Sequence, residues 1–301
     1  MSYTENYQKW LDFAELPAYL RDELVAMDEK TKEDAFYTNL EFGTAGMRGL
    51  IGAGTNRINI YVVRQATEGL AQLIDSKGEE AKKRGVAIAY DSRHFSPEFA
   101  FESAQVLAAH GIKSYVFESL RPTPELSFAV RHLHTFAGIM VTASHNPAPF
   151  NGYKVYGEDG GQMPPADADA LTDYIRAIEN PFTVQLADLE ESKASGLIEV
   201  IGENVDAEYL KEVKGVNINQ DLINEYGRDM KIVYTPLHGT GEMLARRALA
   251  QAGFEAVQVV EAQAVPDPDF STVKSPNPEN QEAFALAEEL GRKVDADVLV
   301  A

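Results

Sequence analysis

The stretch VAIAYDSRHFSPEFAFESAQVLAAHGIKSYVFE, residues 86–118, decides the fold. An apolar strand, VAIAY, precedes the polar turn DSRHFSP. A helix is predicted from about Pro97 to His110, with Gly111 as its cap, and a second strand, KSYVFE, follows. Strand, helix and strand in this order predict a βαβ crossover, in which the two strands run parallel.

A similar unit recurs at residues 231–261, as KIVY, the loop TPLHGTG, a helix through about Ala252, Gly253 as its cap, and the strand EAVQVVE. Two such units predict two related three-layer α/β domains with mixed, mainly parallel sheets. The pattern of predicted helices and strands is weaker near residue 195. We therefore place the domain boundary there, which gives domains 1–195 and 196–301. Parallel sheets bind ligands beyond the carboxyl ends of their strands, which is where DSRHFSP and TPLHGTG fall.

The final segment, residues 280–301, predicts a helix and then a strand that reaches Ala301. A parallel strand normally leads into a loop and a further element. We therefore expect the second domain to be cut short in this chain and to continue beyond Ala301.

Composition narrows the class of protein. The 301 residues are 45% hydrophobic and 25% charged, which is typical of a globular protein of about two domains. The net charge of −20 opposes binding to nucleic acids and anionic membranes. A phosphorylated small molecule stays compatible with this charge, provided that a few Arg and Lys residues are concentrated in one cleft.

The sequence contains no cysteine, which excludes disulfides, thiolate catalysis and Cys-based zinc sites.

Targeting features are also missing from the sequence. The first residues, MSYTENYQKWLDF, lack the basic start and apolar run of a secretory leader, and no stretch approaches the roughly 20 apolar residues of a membrane span. We expect a cytoplasmic protein with no membrane partner.

The sharpest local signal is the strand FAGIMVT that leads into ASHNPAPFNGYK. It puts the hydroxyl of Ser144 and the imidazole of His145 at the end of a strand, and Pro147 follows to fix the turn. Taken alone, the segment could be an ordinary turn, because Ser, Asn and Pro all favour turns. A serine hydrolase is disfavoured, since the G-x-S-x-G elbow is absent around Ser144.

The motif T-A-S-H-N-P, followed by N-G-Y-K, resembles the active-site signature of the α-D-phosphohexomutases, the phosphoglucomutase and phosphomannomutase family. FGTAGMRG at 42–49 is similar to the family's N-terminal loop. DSR, PTPEL at 122–126, TPLHGTG and SPNPE at 275–279 follow in the expected order. The branch that it most resembles contains the longer bacterial phosphoglucomutases, and the resemblance implies the first two domains of a four-domain mutase.

The resemblance implies roles for individual residues. Ser144 matches the serine that carries the phosphoryl group, His145 and Arg48 match residues beside that phosphate, and Lys154 matches a general acid or base toward the sugar hydroxyl. Residues implied to bind substrate or phosphate are Thr44, Asn146, Asp91, Arg93 and His238. From their chemistry alone, Asp91 and Arg93 form either a satisfied ion pair or a brace for the Ser144 loop, and we favour the brace.

The implied reaction interconverts a hexose 1-phosphate and a hexose 6-phosphate, most simply of glucose, through a phosphoserine and a bisphosphorylated sugar. The implied cofactors are Mg²⁺ and, as activator, glucose 1,6-bisphosphate. Ser144 would contact the metal through its phosphate. The other ligands, in a D-x-D-x-D loop, are expected beyond Ala301, so we expect residues 1–301 alone to fold but not to turn over.

Two alternatives remain open at this stage. A phosphomannomutase or phosphopentomutase would share these motifs, because the residues that choose the sugar lie outside this sequence. A non-catalytic two-domain protein that binds a phosphosugar or a partner would also fit. The sequence predicts neither the preferred sugar nor the oligomeric state.

Overall fold

The computed structural model describes residues 2–43 and 46–301. Its strands form two sheets. The strands are β1 Met47–Leu50, β2 Val86–Tyr90, β3 Ser114–Phe117, β4 Ala137–Val141, β5 Phe150–Tyr156, β6 Ile198–Ile201, β7 Ile232–Tyr234, β8 Val257–Val259 and β9 Val298–Val300.

Fourteen α-helices are found in the described residues, together with two short 3₁₀ segments at Pro181–Thr183 and Gln281–Phe284. The helices are α1 Tyr3–Leu11, α2 Ala18–Ala26, α3 Glu29–Phe36, α4 Ile60–Lys77, α5 Glu79–Arg84, α6 Ser96–Ala109, α7 Thr123–His132, α8 Pro165–Ala177, α9 Leu189–Ala194, α10 Glu203–Gly215, α11 Gln220–Tyr226, α12 Glu242–Ala252, α13 Glu261–Ala264 and α14 Ala285–Val294.

The first sheet has the order β1-β5-β4-β2-β3-β6. Strands β4, β2, β3 and β6 are parallel, while β5 runs antiparallel to both β4 and β1. The central strand VAIAY is buried on both faces, as expected for a parallel strand that is covered by helices on both sides. Helices α4, α6 and α8 pack on one face, and α7 packs on the other. The mixed, mainly parallel three-layer architecture predicted from the sequence is therefore confirmed.

The N-terminal helices α1 to α3 form a separate apolar cluster around Trp10, which contacts the rings of Phe36, Tyr61 and Phe182 edge-on. Leu20 and Leu24 are buried, but Val25 is 71% exposed.

The second sheet has the order β8-β7-β9 and is fully parallel. It repeats the βαβ design, since α12 follows β7 and ends at Gly253, whose φ of 113° is the left-handed conformation of a helix cap. Helix α14 packs on this sheet through Ala287. The recurrence read from the sequence is thus present in the structure.

Strand β6 lies beyond the boundary predicted at residue 195, yet it pairs in parallel with β3. The first sheet therefore extends to Ile201, because the unpaired edge of β3 is completed by the segment LIEVIG. The division of the chain into domains 1–195 and 196–301 stays a prediction. Within residues 2–43 and 46–301, the helices are all too short or too polar to cross a bilayer.

Candidate active site

Ser144 lies just past the carboxyl end of β4, at a sharp turn. Its φ of 58° is left-handed, which is uncommon for a residue with a side chain. The Ser144 amide donates to Oγ1 of Thr142 at 2.9 Å, which closes a tight local loop. The side chain is exposed, and its Oγ lies 3.3 Å from Nδ1 of His145. The turn therefore presents a hydroxyl to solvent beside an imidazole.

Arg93 holds this turn from beneath. Its side chain is 1% exposed, and its two terminal nitrogens donate to four main-chain carbonyls. The acceptors are Ser144 at 2.9 Å, Asn146 at 2.6 Å, Pro147 at 3.0 Å and Phe150 at 2.9 Å. A left-handed non-glycine residue costs about 1–3 kcal/mol and persists only where its surroundings impose it. The Arg93 guanidinium imposes this conformation through its four bonds to the main chain, so Arg93 acts as a brace for the turn.

Asp91 completes the brace. Its Oδ2 accepts from Oγ1 of Thr142 at 2.5 Å and lies 3.3 Å from Nε of Arg93. Its Oδ1 accepts from the amide of Arg93 at 3.0 Å and from Oγ of Ser96 at 2.7 Å. Both oxygens of this buried carboxylate are engaged by Thr142, Arg93 and Ser96, which places Asp91 as a support for the turn.

Arg48 and Asn146 meet across the mouth of the turn. Nη1 of Arg48 donates to Oδ1 of Asn146 at 2.8 Å, although the residues are 98 positions apart. Arg48 is exposed on β1, opposite Gly152 on β5. Its guanidinium therefore reaches the Ser144 loop and keeps further donors available for an anion.

Lys154 lies on the same face of the sheet as Arg48, because it follows Gly152 by two residues along β5. Burial of its ammonium group, with Arg48 as a nearby like charge, lowers the pKa of Lys154 from its ordinary value, while Asp91 acts in the opposite direction. A lysine with a lowered pKa has a larger fraction of neutral amine near neutral pH, which suits proton transfer.

Three strands approach one another closely at Gly152, two residues before Lys154. A Cβ added at Gly152 would lie 2.5 Å from the carbonyl oxygen of Thr142 and 2.9 Å from that of Met47. Only glycine lets β5 pass this closely between β4 and β1. The N-G-Y-K segment therefore contributes a backbone fit in addition to its lysine.

Of the other two predicted residues, the structure describes only His238. Thr44 lies outside the described residues. His238, in the loop after β7, is 3% exposed and uses both ring nitrogens within the second unit. Its Nδ1 lies 2.9 Å from the carbonyl oxygen of Val265, and its Nε2 lies 2.8 Å from Oγ1 of Thr272. The structure thus places His238 as a support for a loop of the second unit.

Sequence reasoning missed three contributors to the site. Thr142 links Asp91 to the Ser144 amide, and the only signal for this was its place in T-A-S-H-N-P. Asn151 is fully buried and donates to the carbonyl of His94 at 3.0 Å and to Oγ of Ser96 at 2.9 Å. Phe270 packs its ring over Arg93, which no local pattern indicates.

Family models of known proteins match both parts of the chain. Residues 39–182 match the family model for phosphoglucomutase/phosphomannomutase, alpha/beta/alpha domain I, and residues 207–301 match the model for domain II. The phosphoglucomutase of Staphylococcus epidermidis (strain RP62A) is 38% identical over 292 residues, which are 97% of this chain and 52% of the relative. The phosphoglucomutase of Staphylococcus haemolyticus is 40% identical over 288 residues, 94% of this chain and 51% of the relative.

A solved structure from Thermus thermophilus, assigned as a phosphomannomutase, superposes with a TM-score of 0.69 at 25% identity. The superposition covers 84% of this chain and 52% of the Thermus thermophilus chain. The chain therefore spans about half the length of the relatives that it matches. Two consecutive domain models and these similarities agree in order and position, and the chain belongs to the phosphoglucomutase/phosphomannomutase family.

Proposed function

We propose that the protein is a phosphohexomutase that interconverts a hexose 1-phosphate and a hexose 6-phosphate, with glucose as the preferred sugar. One observation carries the proposal. Ser144 is the exposed serine of a left-handed turn that a buried arginine holds by four carbonyls. A fixed, accessible hydroxyl beside basic side chains is what a phosphoryl carrier requires, because phosphoryl transfer depends mainly on positioning and charge neutralisation.

In the proposed reaction, a sugar hydroxyl attacks the phosphorus of phospho-Ser144. The new P–O bond forms as the bond to Oγ of Ser144 breaks, and Oγ keeps the electron pair. The neutral amine of Lys154 takes the proton of the attacking hydroxyl, and its lowered pKa favours that form. The bisphosphorylated sugar then reorients and returns its other phosphate to Ser144.

Arg48, His145 and Asn146 are proposed to hold the phosphate. A serine phosphate carries about two negative charges at neutral pH, so it needs charged or polar donors. The Arg48 guanidinium is already directed to this loop through Asn146, and the ring of His145 lies beside Oγ of Ser144. These contacts support a phosphate position on the solvent side of the turn, opposite Arg93.

Mg²⁺ is the cation that the family implies, and glucose 1,6-bisphosphate is the proposed activator. In the part of the chain that the structure describes, no three His, Asp or Glu side chains are grouped so that they could hold a metal ion. These residues therefore do not form a magnesium site by themselves, and no step is derived through the ion. We also propose that the other ligands of the cation lie beyond Ala301 and that residues 1–301 alone do not turn over. A cytoplasmic location is likewise a proposal.

Phosphopeptide mapping tests the function. The longer protein is incubated with glucose 1,6-bisphosphate, and mutase activity is followed with glucose 1-phosphate. We expect phosphate on Ser144, loss of activity in Ser144→Ala, and both properties retained in the control Ser195→Ala, which changes an exposed serine far from the turn along the chain. Sugar phosphate binding without phosphorylation of any serine would favour the non-catalytic alternative. Faster turnover with mannose 1-phosphate would correct the sugar.

A further inference from the structure

The loop 265–273 of the second unit contacts the loop that braces Ser144. The ring of Phe270 covers the Arg93 guanidinium, with its centroid 5.1 Å from Cζ. Next to it, Oδ1 of Asp269 lies 2.8 Å from Nε2 of His94. Arg93 and His94 belong to the DSRHFSP turn of the first unit, so two adjacent residues of one loop meet two adjacent residues of the other.

Phe270 is held in an unfavourable conformation to make this contact. Its φ of 50° is left-handed, which is a genuine outlier for an aromatic residue, yet its side chain is only 5% exposed. The carboxylate of Asp267 shapes the turn by accepting from the amides of Asp269 at 3.0 Å and Ser271 at 2.8 Å. Such strain persists only where surrounding contacts impose it, and it marks a position with a specific role.

His238 fixes the far side of the same loop. Because its Nδ1 faces the carbonyl of Val265, that nitrogen carries the proton, and Nε2 accepts from the hydroxyl of Thr272. The Thr272 oxygen in turn accepts from Nε2 of Gln263 at 3.0 Å. The loop is therefore tied to the carboxyl end of β7 and is presented to the first unit as a preformed surface.

Arg93 needs a cover on its open face. Its Nη1 and Nη2 donate to carbonyls and its Nε lies 3.3 Å from the carboxylate of Asp91, but the faces of a guanidinium have no hydrogen-bonding capacity. An aromatic ring on that face excludes water and adds a cation–π attraction, which is stronger when the pair is desolvated. This ring belongs to Phe270 of the second unit, whereas the loop that Arg93 braces belongs to the first unit.

We propose that Phe270 is a positioning residue for Ser144: by covering Arg93, the second unit sets the order of the loop that carries the phosphoryl group. The part concerning phosphoryl transfer rests on the proposed function, whereas the ordering of residues 142–150 does not. The Ser144 loop is thus competent only when the second unit is docked on the first.

Hydrogen exchange measured on residues 142–150 tests this inference. Phe270→Leu keeps an apolar side chain but removes the ring, so we expect exchange in this segment to rise about threefold or more. Phe270→Tyr keeps the ring face and should restore slow exchange. The matched control is Phe284→Leu, which alters the apolar cluster of the second unit away from Arg93. It should leave exchange in 142–150 unchanged.

Kinetics of the longer protein give a second readout. Phe270→Leu should lower kcat with little change in KM, and Phe270→Tyr should recover it. The inference is overturned if residues 142–150 of Phe270→Leu exchange as slowly as those of the wild type. It is also overturned if hydrogen exchange in this segment rises equally in Phe284→Leu. Failure of the proposed function has a different signature, which is full activity in Ser144→Ala.

Discussion

The buried guanidinium of Arg93 donates through Nη2 to the main-chain carbonyl of Ser144 at 2.9 Å, and it lies against the carboxylate of Asp91. One cation therefore satisfies both a buried anion and the backbone of the turn. Because removal of one partner leaves an uncompensated charge and unpaired carbonyls, we expect Arg93→Gln to lower the free energy of unfolding by about 3–5 kcal/mol.

Urea unfolding of the two proteins measures this difference. The control is Arg228→Gln, which removes a guanidinium from an exposed pair with Glu255 and should leave the unfolding midpoint nearly unchanged. If Arg93→Gln and Arg228→Gln unfold at the same midpoint, Arg93 does not brace the turn.

Gly152 gives a second prediction. In Gly152→Ala, the new methyl group meets carbonyl oxygens of Thr142 and Met47, and backbone atoms cannot move aside as a flexible side chain could. We expect a loss of about 1–3 kcal/mol in unfolding free energy and faster hydrogen exchange around Ser144. Gly215→Ala is the matched control, because no atom lies within 4 Å of its added Cβ. It should be neutral or stabilising, since alanine favours the end of helix α10.

The fold was largely predictable because its signals are local. The strand VAIAY is a continuous apolar run bounded by turn residues, and the structure places it at the centre of the first sheet, as Val86–Tyr90. Helix α6 was predicted within one residue at each end, because Pro97 and Gly111 mark its boundaries. The place of strand β6 was less predictable, since its four residues acquire it only by pairing with β3.

The candidate site was predictable only in part. Its motif singled out Ser144, His145 and Asn146, but whether Arg93 points toward substrate or toward the backbone depends on burial, which no pattern in DSR encodes. The family resemblance implied that His238 binds substrate or phosphate, whereas in the structure contacts more than twenty residues away engage both of its ring nitrogens. The contact between Arg93 and Phe270 joins residues of different units, so it depends on docking.

His110 predicts a pH dependence of stability. Its Nδ1 lies 2.7 Å from Asp75 and its Nε2 lies 3.0 Å from Glu68, and Lys82 also pairs with Asp75. The hydrogen bond to Glu68 is the largest cause that raises the pKa of His110 from 6.5 to about 9, against a smaller opposing effect of burial. A raised pKa in the folded state stabilises fully below about pH 6.5, and this stabilisation is lost as pH rises through about 9.

The measurement is the difference in unfolding free energy between the wild type and His110→Gln. Because solvent screens this half-buried cluster, we expect the difference to shrink by about 1–2 kcal/mol between pH 6 and pH 10. His132→Gln, at an exposed position on α7, should show no such trend. A difference that grows with pH would mean that the two carboxylates do not hold the imidazolium.

The last prediction concerns the protonation of Lys154. Burial disfavours its ammonium form, and Arg48 on the neighbouring strand adds a like charge, so the pKa of Lys154 is lowered. Titration of the lysine side-chain signals by NMR should show Lys154 losing its proton below the ordinary lysine value near 10.5. In Arg48→Gln the nearby positive charge is gone, so the pKa of Lys154 should rise.

Arg228→Gln removes an equal charge far from β5 along the chain and should leave the Lys154 titration unchanged, which separates a local effect from a change in net charge. In the longer protein, the limb of the pH–rate profile that depends on Lys154 should move to higher pH in Arg48→Gln, because the same proton is titrated. Lys154→Arg should lower kcat by about 10²–10⁴-fold, since a guanidinium stays charged and cannot accept the proton of the sugar hydroxyl. A Lys154 that titrates at or above the ordinary value, or that does not respond to Arg48→Gln, would remove Lys154 from the proton-transfer step and leave it only as a positive charge near the phosphate.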